Sequence, residues 1–199
     1  MGIASLLNVP LPLLPLQILF LNLVTDVFPA LALGLGEGDE GILERKPRPP
    51  SEAIITRRHW TAIGAYGLVM TVAVLTAFWI ALGPLEMGEK EAVTVSFLTL
   101  AFTQLWHVFN LRRRGSSLFD NNITRNPFVW GALLLCTVLM IAVVYIPPLA
   151  SILKLTPPEL SGWLLIGLTS LFPLLAGFGI RPLLHRLGRR FQRQRQSNQ

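Results

Sequence analysis

The sequence predicts an all-α membrane protein, a bundle of about five transmembrane helices whose first helix is interrupted near Asp26–Pro29. Three observations lead there. Hydrophobic residues make up 52% of the 199 residues and charged residues only 14%. The charge is absent from the long apolar runs and gathered between them. Those runs fall at about 16–36, 61–82, 92–110, 128–147 and 161–180, each close to the roughly 20 residues that a helix needs to cross a bilayer. A net charge of +6 would suggest a nucleic-acid partner in a soluble protein. Here the basic residues lie between apolar spans, where the positive-inside rule accounts for them, so the expected partner is the lipid bilayer and no nucleic acid.

The first span, Gln17 to Gly34, carries Asn22, Thr25 and Asp26 near its middle. At positions i, i+3 and i+4 they fall on one helical face. An ionisable Asp at membrane depth costs about 2.5–3.5 kcal/mol on insertion scales and therefore faces a bundle interior, a water-filled path or an ion. Pro29 follows three residues later. It has no N–H, and its ring crowds the carbonyl of Thr25, so backbone oxygens are released beside a carboxylate. Irregular backbone inside a membrane is tolerated where it lines such a site. An amide, a hydroxyl and a carboxylate are hard oxygen donors, suited to Ca²⁺, Mg²⁺, Mn²⁺, Na⁺ or K⁺ and not to Zn²⁺ or Cu⁺. The stretch reads as half of a cation site. The other reading is a structural Asp paired across the bundle.

The second span opens with small residues, Ala62, Gly64, Ala65 and Gly67, which either admit a close helix neighbour or are plain filler. The third carries Gln104, His107 and Asn110 along one ridge. Gln104, the deepest, either lends an oxygen to the cation or bonds a neighbouring helix, whereas His107 and Asn110 suit helix-end hydrogen bonding. The fourth span holds the single Cys136, so no intrachain disulfide or cysteine metal cluster is possible. Pro47-Arg48-Pro49-Pro50, Pro147-Pro148 and Pro157-Pro158 punctuate loops. Trp60, Trp79, Trp106, Trp130 and Trp163 mostly lie near span ends, as interfacial anchors do. The basic tail Arg186–Arg195 reads as a topogenic anchor, with anionic headgroups as the other possible role.

Lys and Arg fix the orientation. The 37–60 loop has five, the 111–127 loop four and the tail after 180 six, against one each in the 83–91 and 148–160 loops. The first three belong to the cytoplasmic side, which places the N-terminus outside and the C-terminus inside. An external start without a signal sequence suggests that something upstream is missing. No Ser/His/Asp constellation, glycine-rich phosphate loop or HExxH sequence occurs, and no catalytic residue is expected.

Pro15-Leu16-Gln17-Ile18-Leu19-Phe20-Leu21-Asn22-Leu23-Val24-Thr25-Asp26, followed by Phe28-Pro29-Ala30-Leu31-Ala32-Leu33-Gly34, resembles the sixth transmembrane helix of type II P-type cation ATPases, the calcium-pump branch above all. Arg45-Lys46-Pro47-Arg48-Pro49-Pro50-Ser51-Glu52 resembles the cytoplasmic loop between helices six and seven of that family. The later spans correspond to helices seven to ten, mainly in hydropathy and spacing. The resemblance makes residues 1–199 a C-terminal transmembrane domain, with 1–15 the end of helix five and an external loop, and 181–199 a basic cytoplasmic tail. It implies that Asn22 and Asp26 are side-chain ligands of the transported cation. Thr25 would belong to a second neighbouring site, to which two-site pumps also contribute a helix-eight Glu. Gln104 stands at that position here, which favours one ion per cycle. Val27 replaces a frequent Gly after Asp26, so the local unwinding differs.

The resemblance implies Ca²⁺ as the cation, with Mn²⁺, Na⁺, K⁺ or H⁺ left open, and a plasma (inner) membrane location. The family's phosphorylated Asp, nucleotide and actuator domains and helices one to four are not in this chain. No cofactor is therefore expected in it. ATP and Mg²⁺ would act only through those missing domains, and the chain alone is not expected to hydrolyse ATP. The implied partner is an N-terminal P-type ATPase half. The alternative is a non-enzymatic accessory or regulatory subunit of an intact pump.

Overall fold

The structure, a computed structural model, describes residues 11–36, 55, 57–111 and 121–177. All regular structure among them is helical. Helix α1, Pro15–Gly34, is built from an α segment Pro15–Leu21, a π turn Asn22–Asp26 and a second α segment Val27–Gly34. Next come α2 (Arg57–Leu82), α3 (Glu89–His107, extended by a 3₁₀ turn Val108–Leu111), α4 (Pro127–Tyr145) and the short α5 (Pro147–Leu153). The last is α6 (Leu160–Gly177). Five of these helices, all but α5, are long and apolar enough to cross a membrane, and their limits lie within a few residues of the predicted spans. The loop motif Arg45–Glu52, Arg112–Arg114 and the tail Arg186–Arg195 lie outside the described residues.

Local chemistry sets the ends. Leu14 is extended at the N-cap of α1, Pro15 fills the first helical position, and the Gln17 side chain accepts the Leu14 N–H at 2.9 Å. This is one arm of a capping box. Asn126 caps α4 by accepting the Phe128 N–H at 2.9 Å, with Pro127 following it. Pro147 forces Ile146 into an extended conformation (φ −85°, ψ 111°) and so ends α4. The same proline starts α5, a turn of helix inside the 148–160 segment that was expected to be loop. Lys154 then ends α5 in the left-handed region (φ 54°), and the Leu155 N–H returns to the Ala150 carbonyl at 2.8 Å.

Helix α3 is the axis of the bundle. Two thirds of its span is buried, against about one third or less for every other span. Phe97, Leu98, Ala101 and Leu105 fill the core with Leu21, Val24, Val129, Leu133, Cys136, Met140 and Ile166 from the helices around it. Buried hydroxyls on α3 are satisfied locally or across the bundle. Ser96 donates to the Ala92 carbonyl at 3.0 Å, and Thr94 donates to Lys90 at 3.0 Å while accepting the Thr156 N–H at 2.9 Å. The outer faces are as apolar as the core: Leu19, Leu68, Leu134, Leu164 and Leu168 are all exposed. Such a surface suits hydrocarbon as the solvent.

Of the two readings open for the small residues at the start of the second span, the structure gives Gly64 and Gly67 no close neighbour, and the buried small residues of α2 lie further along. Ala73, Ala77 and Ala81, four residues apart, are buried with Val74 and Phe78. Gly64 and Gly67 are exposed, and a Cβ added at either would meet nothing within 4 Å. Within this chain they are not packing positions.

Candidate cation site on the first span

The irregularity expected near Asp26–Pro29 takes the form of a π turn that ends at Asp26, with the helix continuing through Pro29. The widening has a local cause. Pro29 cannot donate to the carbonyl four residues back, and its ring needs room there. A single π turn just upstream supplies that room, a common device at functional sites. Pro29 then occupies the first turn of the Val27–Gly34 segment, where a missing N–H is tolerated.

The same widening redistributes the polar side chains. A π turn rotates less per residue than an α turn, so Thr25 lands farther round from Asn22 than the α period predicts. Asn22 and Asp26 are exposed on the outside of the bundle, whereas Thr25 is 4% exposed and faces inward. The expected shared face of Asn22, Thr25 and Asp26 is thus divided. Thr25 meets Gln104 of α3, with its hydroxyl 2.7 Å from Gln104 Oε1 and 2.8 Å from the Leu21 carbonyl. The Asp26 carboxylate makes no capping hydrogen bond. Of the four candidate ligands, the structure brings together Thr25 and Gln104 and leaves Asn22 and Asp26 directed away from the bundle.

The inner side of α1 is pinned along its whole length. At its N-terminal end the Gln17 amide donates to the Leu153 carbonyl at 2.9 Å. At the π turn, Gln104 holds Thr25 and the Cys136 thiol donates to the Val24 carbonyl at 3.2 Å. At the far end the Asn126 amide donates to the Ala32 carbonyl at 2.9 Å. Sequence reasoning missed Gln17, Cys136 and Asn126. Asn126-Pro127 ahead of an apolar run is a readable helix start, and Gln17 stands at the third helical position after a Leu-Pro start. Nothing in the sequence marks Cys136.

His107 and Asn110 take the helix-end role. Asn110 Nδ2 lies 3.4 Å from both His107 Nδ1 and the Pro173 carbonyl, joining the end of α3 to α6. The His107 ring meets Tyr66 of α2 edge to face, with centroids 4.6 Å apart. Among the described residues, no three His, Cys, Asp or Glu gather as a metal cluster. Of the four candidate ligands, Asn22 and Asp26 are the ones whose side chains face outward.

The fold is that of an integral membrane helical bundle, and it displays a carboxylate and an amide on a widened, firmly held helix. The chain belongs to the cation-transporting ATPase family, as its C-terminal membrane domain: the model of that family described as "Cation transporting ATPase, C-terminus" matches residues 10–183. A calcium-transporting ATPase of Bacillus subtilis is 39% identical over 176 residues, covering 87% of this chain and 20% of that protein. Calcium-transporting ATPase 1 of Bacillus cereus is 32% identical over 187 residues, covering 87% of this chain and 21% of the relative. The human calcium-transporting ATPase type 2C member 1 is 26% identical over 170 residues, covering 85% of this chain and 18% of its own length. The chain thus spans about a fifth of the length of the curated relatives it matches.

Proposed function

We propose that this chain is the membrane portion of a calcium-transporting P-type ATPase and supplies one wall of a single Ca²⁺ site, with Asn22 and Asp26 as its side-chain ligands. The observation that carries the reading is the division at the π turn. Asn22 and Asp26 are presented outward on a helix whose inner side is held at both ends and in the middle. An Asp left facing hydrocarbon is costly, so that face is one for a further protein wall to cover. The names of the bacterial relatives point to Ca²⁺, and hard oxygen donors agree with it. Thr25 and Gln104 engage each other and are assigned to holding the turn.

In this reading Ca²⁺ is cargo. The carboxylate supplies the charge that draws a divalent ion out of water, and the Asn22 amide supplies a neutral oxygen that fixes its position. ATP hydrolysis would belong to phosphorylation and nucleotide domains in an N-terminal portion of the pump. The excess of Lys and Arg in the 37–60 and 111–127 segments supports a cytoplasmic face there and an external start to α1.

The test is a pump assembled from this chain and such an N-terminal portion. Asp26→Asn should raise the Ca²⁺ concentration for half-maximal phosphorylation by at least about tenfold, equivalent to about 1.4 kcal/mol. Unchanged Ca²⁺ dependence would remove Asp26 from the site and the reading with it.

A further inference from the structure

Cys136 sits in the middle of α4, wholly buried, and its thiol proton crosses the helix interface to the Val24 carbonyl at 3.2 Å. The two residues are 112 positions apart, so this is a tertiary contact and not the back-bonding of a thiol to its own helix. Its target is unusual. A helix normally satisfies every interior carbonyl with an N–H four residues on, or five in a π turn. Pro29 stands five residues after Val24 and has no N–H to give. Val24 lies within the π turn, is 3% exposed and has no access to water. The five-residue donor that a π turn would supply is thus missing for this carbonyl, and at membrane depth no solvent stands in for it. The thiol is a weak donor, yet it is the side-chain group that reaches this atom.

We propose that Cys136 is a positioning residue for the cation face, taking up the Val24 carbonyl opposite Pro29 and so holding the π turn that displays Asn22 and Asp26. The inference rests on the Ca²⁺ reading above and adds to it the residue that sets the ligand helix in register. Gln104 grips the same turn from α3 through Thr25, so the turn is held from two helices by two different groups. Without the thiol, the turn keeps the room that Pro29 requires but is held from α3 alone, so its α4 side is free to relax. That relaxation rotates the segment carrying Asp26 relative to the bundle and to any wall opposite it. Serine preserves a donor at the same place; alanine removes it.

Two measurements test this. Cys136 is the single cysteine of the chain, so the S–H stretch in the infrared spectrum of the chain in lipid bilayers reports this one thiol. It should lie below the frequency of an unbonded thiol in an apolar solvent; a stretch at the unbonded frequency overturns the proposal. In the assembled pump, Cys136→Ala should raise the half-saturating Ca²⁺ concentration several-fold, more than it lowers the maximal phosphorylation level, and Cys136→Ser should restore the wild-type value. An alanine variant with wild-type Ca²⁺ dependence overturns the positioning role even where the S–H bond is present. If Asp26→Asn still weakens Ca²⁺ in that case, the cation reading stands without Cys136. If Asp26→Asn has no effect, both fall.

Discussion

Asn126 donates its side-chain amide to the Ala32 carbonyl at 2.9 Å while its own oxygen receives the Phe128 N–H at 2.9 Å. One residue thereby starts α4 and closes α1. The Ala32 carbonyl needs this. The Gly36 N–H, its natural partner four residues on, turns instead to Leu33 at 3.3 Å, leaving Ala32 among the unpaired carbonyls of a helix end.

Asn126→Ala should therefore cost both contacts. Loss of an N-cap is worth about 0.5–2 kcal/mol, and an unpaired buried carbonyl about 1–3 kcal/mol. The midpoint of thermal unfolding of the chain in detergent micelles should fall accordingly. Asn126→Asp separates the two terms, because a carboxylate accepts from Phe128 but cannot donate to Ala32. It should lie between wild type and alanine. An alanine variant with the wild-type midpoint would mean that the link between α1 and α4 carries no stability.

At the other end of α1, Gln17 is completely buried and uses both ends of its amide, accepting from Leu14 and donating to Leu153. Gln17→Met, similar in shape, leaves a donor and an acceptor unpaired and should destabilise by about 1–3 kcal/mol. The effect should be local. Hydrogen exchange of the amides in the Pro15–Leu21 segment should accelerate relative to those of α3. Uniform acceleration across the bundle would argue against a specific anchor for the N-terminal end of α1.

Much of the fold is legible in the sequence, because length and apolarity alone identify a span, and five were readable to within a few residues. The short α5 was not, since seven residues between prolines carry no periodic signal. For Ala62, Gly64, Ala65 and Gly67 the sequence left close contact and plain filler both open; Gly64 and Gly67 are exposed, and Ala73, Ala77 and Ala81 are the buried small residues of α2. Composition offers small residues in both places, and only the neighbour's position decides between them. At the site, Asn22 and Asp26 were readable as polar groups in an apolar run. The separation of Thr25 from them was not, because the α period assumed for the face does not hold through a π turn. Cys136 was invisible for a related reason: its partner is a backbone carbonyl in the π turn of another helix.

The contact of Thr25 with Gln104 makes a sharper prediction than either residue alone. The Thr25 hydroxyl has one proton and lies within hydrogen-bonding distance of two oxygens, Leu21 O and Gln104 Oε1. Turning the Gln104 amide so that its NH₂ donates to Thr25 satisfies all three groups, since amide orientation is set by the network it joins. Thr25→Val removes the hydroxyl and leaves the Gln104 amide unpaired, at about 1–3 kcal/mol. Thr25→Val with Gln104→Leu replaces both partners by apolar groups and should recover most of that loss. If the double variant is as unstable as the sum of the singles, the two residues do not act as a pair.

The junction of α3 and α6 supplies the last case. Gly177, buried at the end of α6, lies directly against the Asn110 side chain: an added Cβ would come within 2.8 Å of Asn110 Cγ. Asn110 cannot easily move aside, being 5% exposed and bonded to the Pro173 carbonyl. Gly177→Ala should therefore destabilise by about 1–3 kcal/mol, the usual cost of overpacking. Asn110→Ala clears the space and should make Gly177→Ala nearly neutral in its background. A double-mutant cycle measured by thermal or denaturant unfolding in micelles should return a favourable coupling of about 0.5–3 kcal/mol. Additive losses would place the strain of Gly177→Ala elsewhere than on Asn110, and the end of α6 would then owe nothing to this contact.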